Sequence, residues 1–405
     1  MNAKSMTQKM GGMAVLLSIS FSNNGALAGI DDAIAAGSVN GNVRAYYNTR
    51  DYETKDDTDA FALGGALRGE TGPMGWVKLG VGFYTAHDLD TNNSDPAKVN
   101  GSLGSDLDVL GEAYVKVSQY STDFTAGRQI VNTPFANAGD AFIIPFTFEA
   151  FSLVNTSLTN VTLTLSQINT IKNRNSEEFV DVGKWSTSRY GVGVESTSGT
   201  TVFGVAYADG GLNLQGWYYE FSDLFTLAYA QAGFAFSTDV GVKPFVGLQY
   251  GSQSDTGDEL LGKVDSMLLG VQGGAGFGPA KLTLAYTTVD EEGGAFGNGA
   301  FLAPYSFSTS PLFTNNMLAT MENVDSGDAY KITFNYDFPK LKLKLSYAEF
   351  DFESAPDREA IDGDVTYDLS EYVKGLSLRW RVEFLTSDSD AVEQVNHRFQ
   401  AQLTF

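Results

Sequence analysis

Residues 127–151 read GRQIVNTPFANAGDAFIIPFTFEAF. The segments on either side alternate between apolar and polar residues, as strands do, and this stretch does not. It carries Pro134 and Pro145, and proline cannot donate to a strand ladder. It carries turn chemistry at Asn137-Ala-Gly-Asp140. Its Phe and Ile content is too high for a solvated surface loop. The stretch therefore reads as a loop folded back into the molecule and packed against an inner wall, with the rest of the chain forming that wall.

Outward from this loop, segments of about ten residues with period-2 alternation fill most of the chain, the length a tilted strand needs to cross a bilayer. Val43, Ala45 and Tyr47 alternate with Asn42, Arg44, Tyr46 and Asn48. Val77, Leu79, Val81 and Phe83 alternate with Lys78, Gly80, Gly82 and Tyr84. The pattern runs on through segments such as Val161–Ile168, Leu341–Phe352, Asp364–Val373 and Leu376–Thr386 to the terminal Phe405.

Counting every such segment gives nineteen. Single-chain bacterial barrels have even strand numbers. The tight turns at 71–73, 277–279, 338–340 and 373–375 must also share one rim. Both conditions hold if Ser188–Thr197 does not span, which leaves eighteen strands, with sixteen as the alternative. The other connections, at 51–58, 88–105, 291–326, 354–363 and 386–393, are longer and acidic. This sorting of loops is that of an outer-membrane barrel, not of a soluble sandwich. Long external loops are expected at about 156–200 and 291–326, and the inward constriction loop at about 131–148.

In nearly every strand one face is apolar and the other is polar, charged or glycine. Eighteen strands enclose more space than side chains can fill, so the apolar face points out to lipid. Tyr46-Tyr47, Tyr218-Tyr219 and Tyr336 suit the aromatic girdles of such a barrel. The fold class is thus all-β, a transmembrane antiparallel β-barrel with an inward-folded constriction loop.

Composition narrows the chemistry. The 405 residues include no cysteine and two histidines, His87 and His397. That leaves no disulfide framework, no thiolate metal site and little for general acid–base work. The formal charge of −23 opposes nucleic-acid binding. Asp88-Leu-Asp90-Thr-Asn92 begins like a calcium loop but has Asn93 where glycine is required and Val99 where glutamate is required. No catalytic residue, cofactor or metal site is expected.

At the N-terminus, Lys4 and Lys9 precede the apolar run Met13–Phe21, and Ala26-Leu27-Ala28 forms a small-residue cleavage site. Residues 1–28 therefore read as a cleaved signal peptide, too short to span. Residues 29–405 form the single barrel, and its expected location is the bacterial outer membrane.

Function is expected to rest on lumenal charge. With the last strand paired to the first, Arg379, Arg381, Arg398, Arg44 and Arg68 line one contiguous wall, joined by Lys342 and Lys344 with Lys331 beside them. Arginine stays charged and grips carboxylates bidentately, so such a wall suits an anionic solute. The alternative is that these bases pair with lumenal acids and only support the barrel. Asp106, Asp108, Glu112, Asp140 and Glu149 are the acids placed to oppose them.

Gly127-Arg128-Gln129, Thr133-Pro134-Phe135, Asp140, Pro145 and Phe148-Glu149-Ala150 resemble the OprD-type outer-membrane porins. The likeness extends thinly over the mature chain, including Lys374-Gly-Leu-Ser-Leu-Arg379. It implies an eighteen-stranded barrel, monomeric or in loose trimers, that takes up small carboxylates or amino acids. It marks Arg128, Pro134, Asp140, Phe142, Pro145 and Glu149 as constriction residues. Two positions depart from the family pattern. Phe142 stands where an arginine is usual, and Ala150 where glycine is usual. The loop is therefore expected to set pore size more than charge.

The expected partners are outer-membrane lipid and lipopolysaccharide, small solutes, and the barrel assembly machinery through Phe405. A general, weakly ion-selective porin is the alternative within transport. A structural or adhesive barrel acting through its loops is the alternative from another class.

Overall fold

The computed structural model describes residues 30–103, 106–139, 141–305 and 310–405. The expected signal peptide (1–28) and Asp140 lie outside the described residues. After a short helix α1 (Ile30–Ala35), the first seven strands are β1 (Ser38–Tyr52), β2 (Thr58–Glu70), β3 (Val77–His87), β4 (Leu107–Gln119), β5 (Thr122–Gln129), β6 (Thr147–Asn155) and β7 (Val161–Lys172). A three-residue strand β8 (Phe179–Asp181) and helix α2 (Val182–Tyr190) follow. Then come β9 (Thr200–Asp209), β10 (Leu212–Phe221), β11 (Phe225–Ala235), β12 (Val242–Asp255), β13 (Asp265–Phe277) and β14 (Ala280–Val289). The last five are β15 (Gly327–Asp337), β16 (Leu341–Phe352), β17 (Arg358–Asp368), β18 (Leu376–Ser387) and β19 (Gln394–Thr404).

Each long strand pairs antiparallel with its neighbours, and β7 pairs with β9 past the short β8. The ring closes where β1 meets β19, in register from Asn42↔Thr404 to Tyr52↔Gln394. Phe405 extends that closure by exchanging backbone hydrogen bonds with Gly41 at 2.9 and 3.0 Å. The result is a closed eighteen-strand antiparallel barrel. Ser188–Thr197 does not span, since it forms the end of α2 and the coil after it.

The wall is apolar outside and polar or packed inside. On β12, Leu248 is 58% exposed toward the exterior while Gln249, its neighbour, is 3% exposed. Leu269, Leu284, Ile332, Leu345 and Phe384 continue the exterior band around the ring. A soluble barrel would place these side chains inside. Here they face the membrane, and closure of the ring pairs the strand edges that would otherwise be exposed in the bilayer.

Three sequence boundaries are corrected. The tight turn at 156–160 and β7 precede the long connection, so that loop is 173–199 and not 156–200. Strand β17 begins at Arg358 rather than Asp364, so the preceding loop is only 353–357. Its inward Asp362 and Asp364 make the segment look solvated, although Ile361 faces lipid. The third concerns 291–326, expected outside the barrel. Phe301, Leu302, Tyr305, Leu312, Ala319 and Met321 are all buried in the inner core, so the segment folds into the lumen.

Two aromatic assignments also change. Tyr46 and Tyr219 are fully buried and point inward, whereas Tyr47 and Tyr218 face the exterior. Tyr336 also takes the exterior face, beside Phe338 at 4.2 Å between ring centroids.

Candidate functional site

The loop between β5 and β6 enters the lumen at once. Pro134 lies half-buried, and an Asx turn follows in which Asn137 Oδ1 accepts the Gly139 N–H at 3.0 Å. Gly139 has φ +48°, a left-handed conformation that suits glycine. Phe146 N–H donates to Ala138 O at 2.8 Å and closes the neck of the loop. One end packs Phe135 against Tyr219 and Tyr229 of β10 and β11, at 5.7 and 5.1 Å between ring centroids. The other end packs Phe142 against Tyr46 of β1 at 5.9 Å. Strands β1 and β10 lie almost half the ring apart, so the loop crosses the lumen.

The second inward loop, 290–326, enters from the opposite side. Gln253 and Leu302 exchange hydrogen bonds of 2.7 and 2.8 Å. Gln249 Nε2 donates to Pro311 O at 2.8 Å. The tip hangs from two carboxylates on the wall. Asp362 accepts the Met317 N–H at 3.1 Å, and Glu383 accepts those of Leu318 and Ala319 at 2.9 and 3.2 Å. Further back, Glu322 is buried beneath Ser310, Asn315 and Thr320, which all donate to it, and burial pushes its carboxyl up to about 7.

Between the two loops lies a cavity of about 490 Å³. Arg50, Arg174, Arg381 and Arg398 line it, with Phe142 on one side and Asn315, Asn316, Met317 and Leu318 on the other. Arg381 Nη2 donates to Tyr46 Oη at 2.8 Å and to Ala141 O at 3.1 Å. Arg398 Nε donates to Asn396 Oδ1 at 2.7 Å, and its guanidinium lies 5.0 Å from the Phe142 ring centre. Arg50 Nε is buried with no hydrogen-bond partner among the described residues. Among the described residues, no carboxylate lies within 4.0 Å of Arg50, Arg381 or Arg398. A separate, smaller cavity of about 220 Å³ lies nearer the short-turn rim, lined by Arg44, Arg68, Ile143, Pro145 and Phe405 among others.

The remaining bases of the expected wall are placed differently. Arg44 is buried, with Nη1 donating to Phe142 O at 2.6 Å and Nε to Gln402 Oε1 at 2.6 Å. Arg68 pairs with Glu112 at 2.6 Å. Glu112 reaches it across Gly82, where a Cβ would sit only 3.0 Å from the glutamate Cβ. Arg379 forms a two-point bridge to Asp364. Lys342 and Lys344 lie on the inward face of β16, the face of buried Ser346 and Ala348. Lys331 is buried and donates to Asn315 O. Arg128 and Glu149 pair at 3.0 Å on the wall of β5 and β6.

Asp106 and Asp108 do not oppose the bases. A bulge shifts the β3–β4 register between Gly82 and Phe83. One extra residue flips the alternation of the strand end. Leu107 and Val109 thus turn inward, and Asp106 and Asp108 turn out to meet His87 at 3.4 and 3.2 Å. Glu112, below the bulge, stays inside and pairs directly with Arg68 instead of facing the bases across the lumen.

Several site residues escape sequence reading. Tyr46 falls on the polar face by alternation, but nothing in the sequence marks it as a partner of the constriction loop. Arg174 and Lys172 sit where a strand gives way to a loop, and neither spacing nor motif marks them. The loop 290–326 did carry a signal, because Phe301-Leu-Ala-Pro-Tyr305 is as apolar and proline-broken as the stretch at 127–151.

Comparisons with known proteins agree with this architecture. No curated relative matches the chain in sequence. Among solved structures, Acinetobacter baumannii OccAB3 superposes with a TM-score of 0.79 at 17% identity, covering 92% of this chain and 100% of that one. Pseudomonas aeruginosa OccK1 (OpdK) gives 0.78 at 18% identity, covering 92% and 99%. The same organism's OpdK with vanillate gives 0.77 at 17%, again covering 92% and 99%. At these identities the likeness carries the fold alone. The family model for "outer membrane porin, OprD family" matches residues 32–401. With that match spanning nearly the whole barrel, the chain belongs to the OprD family of outer-membrane porins.

Proposed function

We propose that this porin passes small anions, carboxylates foremost, through the gap between its two inward loops. The observation that carries this reading is the convergence of Arg50, Arg381 and Arg398 on one cavity with no carboxylate within 4.0 Å among the described residues. In a narrow, low-dielectric passage, such guanidinium groups attract an anion far more strongly than they would in water. Phe142, Met317 and Leu318 add apolar surface on either side, which suits the carbon skeleton of an organic acid better than a bare ion. The vanillate held by P. aeruginosa OpdK, an aromatic carboxylate, is in keeping with this chemistry.

A weakly selective channel is the second reading. It is favoured by the Arg68–Glu112, Arg379–Asp364 and Arg128–Glu149 pairs, which cancel much of the lumenal charge. Swelling of proteoliposomes separates the two. Entry of a small carboxylate several-fold faster than that of an uncharged solute of equal size supports the anion path. Equal rates leave the weakly selective channel, and no swelling with either solute removes both.

A further inference from the structure

The backbone of the constriction loop is gripped from the wall by cations at nearly every turn. Arg174 Nη1 donates to Gly139 O at 3.2 Å. Arg381 and Tyr46 both donate to Ala141 O, at 3.1 and 3.0 Å. Arg44 Nη1 donates to Phe142 O at 2.6 Å and lies 3.5 Å from Ile143 O. Lys172 Nζ donates to Pro145 O at 3.1 Å and to Asn173 O at 2.7 Å. The opposing jaw has reversed polarity, because Asp362 and Glu383 hold the amides of Met317, Leu318 and Ala319.

From this arrangement we propose that Lys172 and Arg44 are positioning residues that set the aperture. Both act through loop carbonyls, Lys172 without lining either cavity and Arg44 from the wall of the smaller one. The proposal rests on the channel reading. Lys172 is the clearest case. It is completely buried and lines neither cavity, so it reaches a passing solute only through the loop. A buried ammonium is expensive unless its donors are used, and here two backbone oxygens take two of the three. Each of the hydrogen bonds that grip the loop is accepted by one of its backbone oxygens, and Arg174 also lies 4.8 Å from the Phe142 and Phe146 ring centres. These bonds fix where the loop backbone lies, while loop side chains are left to set the shape of the gap.

Single-channel recording of the full-length protein tests this. Lys172→Met should give a roughly twofold larger and noisier open-channel current, as expected when a supporting contact is lost and a site loosens. The reversal potential in a salt gradient should stay at the wild-type value, and Lys172→Arg should restore a quiet current. Arg44→Lys keeps the charge and removes the guanidinium grip, so it should raise current in the same way. It also serves if Lys172→Met fails to assemble. Wild-type current and noise in both variants overturns the clamp, as does a current change accompanied by a shifted reversal potential. A wild-type chain that never conducts overturns the channel reading itself, a distinguishable failure.

Discussion

The two sides of the lumen are built from the same alternating strands and do opposite things. From β6 to β14 the inward face carries Phe148, Tyr219, Phe221, Phe225, Leu227, Tyr229 and Leu268, packed with Phe135, Phe301 and Tyr305 of the inward loops. From β17 round to β2 it carries Asp362, Asp364, Arg379, Arg381, Glu383, Arg398, Arg44, Arg50 and Arg68. The first side is a protein core displaced into a barrel, and its burial stabilises the loops without directional constraint. The second side is charged and lines the two cavities described above. An eighteen-strand ring is too wide to select by itself. In the reading proposed above, the contrast assigns selectivity to the charged half of the ring, with the other half filled by the inward loops.

Breaking the filled half should have the largest effect. Replacing residues 136–144 by a short Gly-Ser linker removes the crossing segment, and single-channel current should rise by about threefold or more, with solute discrimination flattened. An unchanged current would mean that the narrowest point lies elsewhere. Next in size, Phe135→Ala opens a void where three rings meet. It should cost about 3–5 kcal/mol in unfolding experiments, in line with other buried Phe truncations. A cost below 1 kcal/mol would show that the loop is not anchored there. The smallest effect concerns pH. Burial raises the Glu322 carboxyl from its ordinary value near 4.5 to about 7. The folded loop therefore holds its proton more tightly than the unfolded chain does. Stability is full below the ordinary value, declines as pH rises toward 7, and is flat above. Melting temperature followed over that range should show the decline in the wild type, and Glu322→Gln should abolish the slope.

How far the sequence reaches can be seen residue by residue. Alternation locates the strands because a wall with lipid on one side has only two environments. The parity of the turns sets aside Ser188–Thr197, which has the composition of a strand and the conformation of a helix end. What stays hidden is anything that depends on a local exception. The bulge that turns Asp106 and Asp108 outward leaves no mark in composition. The pairing of Arg68 with Glu112 needs Gly82 lying between them to be bare. The length and acidity of 291–326 point outside, although Phe301, Pro304 and Tyr305 carry the same inward signal as the stretch at 127–151, of which 130–146 form the loop and the two ends belong to β5 and β6. Alternation places Tyr46 on the polar face beside Arg44, but nothing in the sequence shows that its hydroxyl meets Ala141 and Arg381.

The central claim is that the three arginines on the open side choose the ion. It is tested most directly by the reversal potential of single channels in a KCl gradient, comparing the wild type with the double variant Arg381→Gln/Arg398→Gln. Preference for chloride in the wild type, lost or inverted in the double variant, is the predicted result. An identical reversal potential in both would contradict the account.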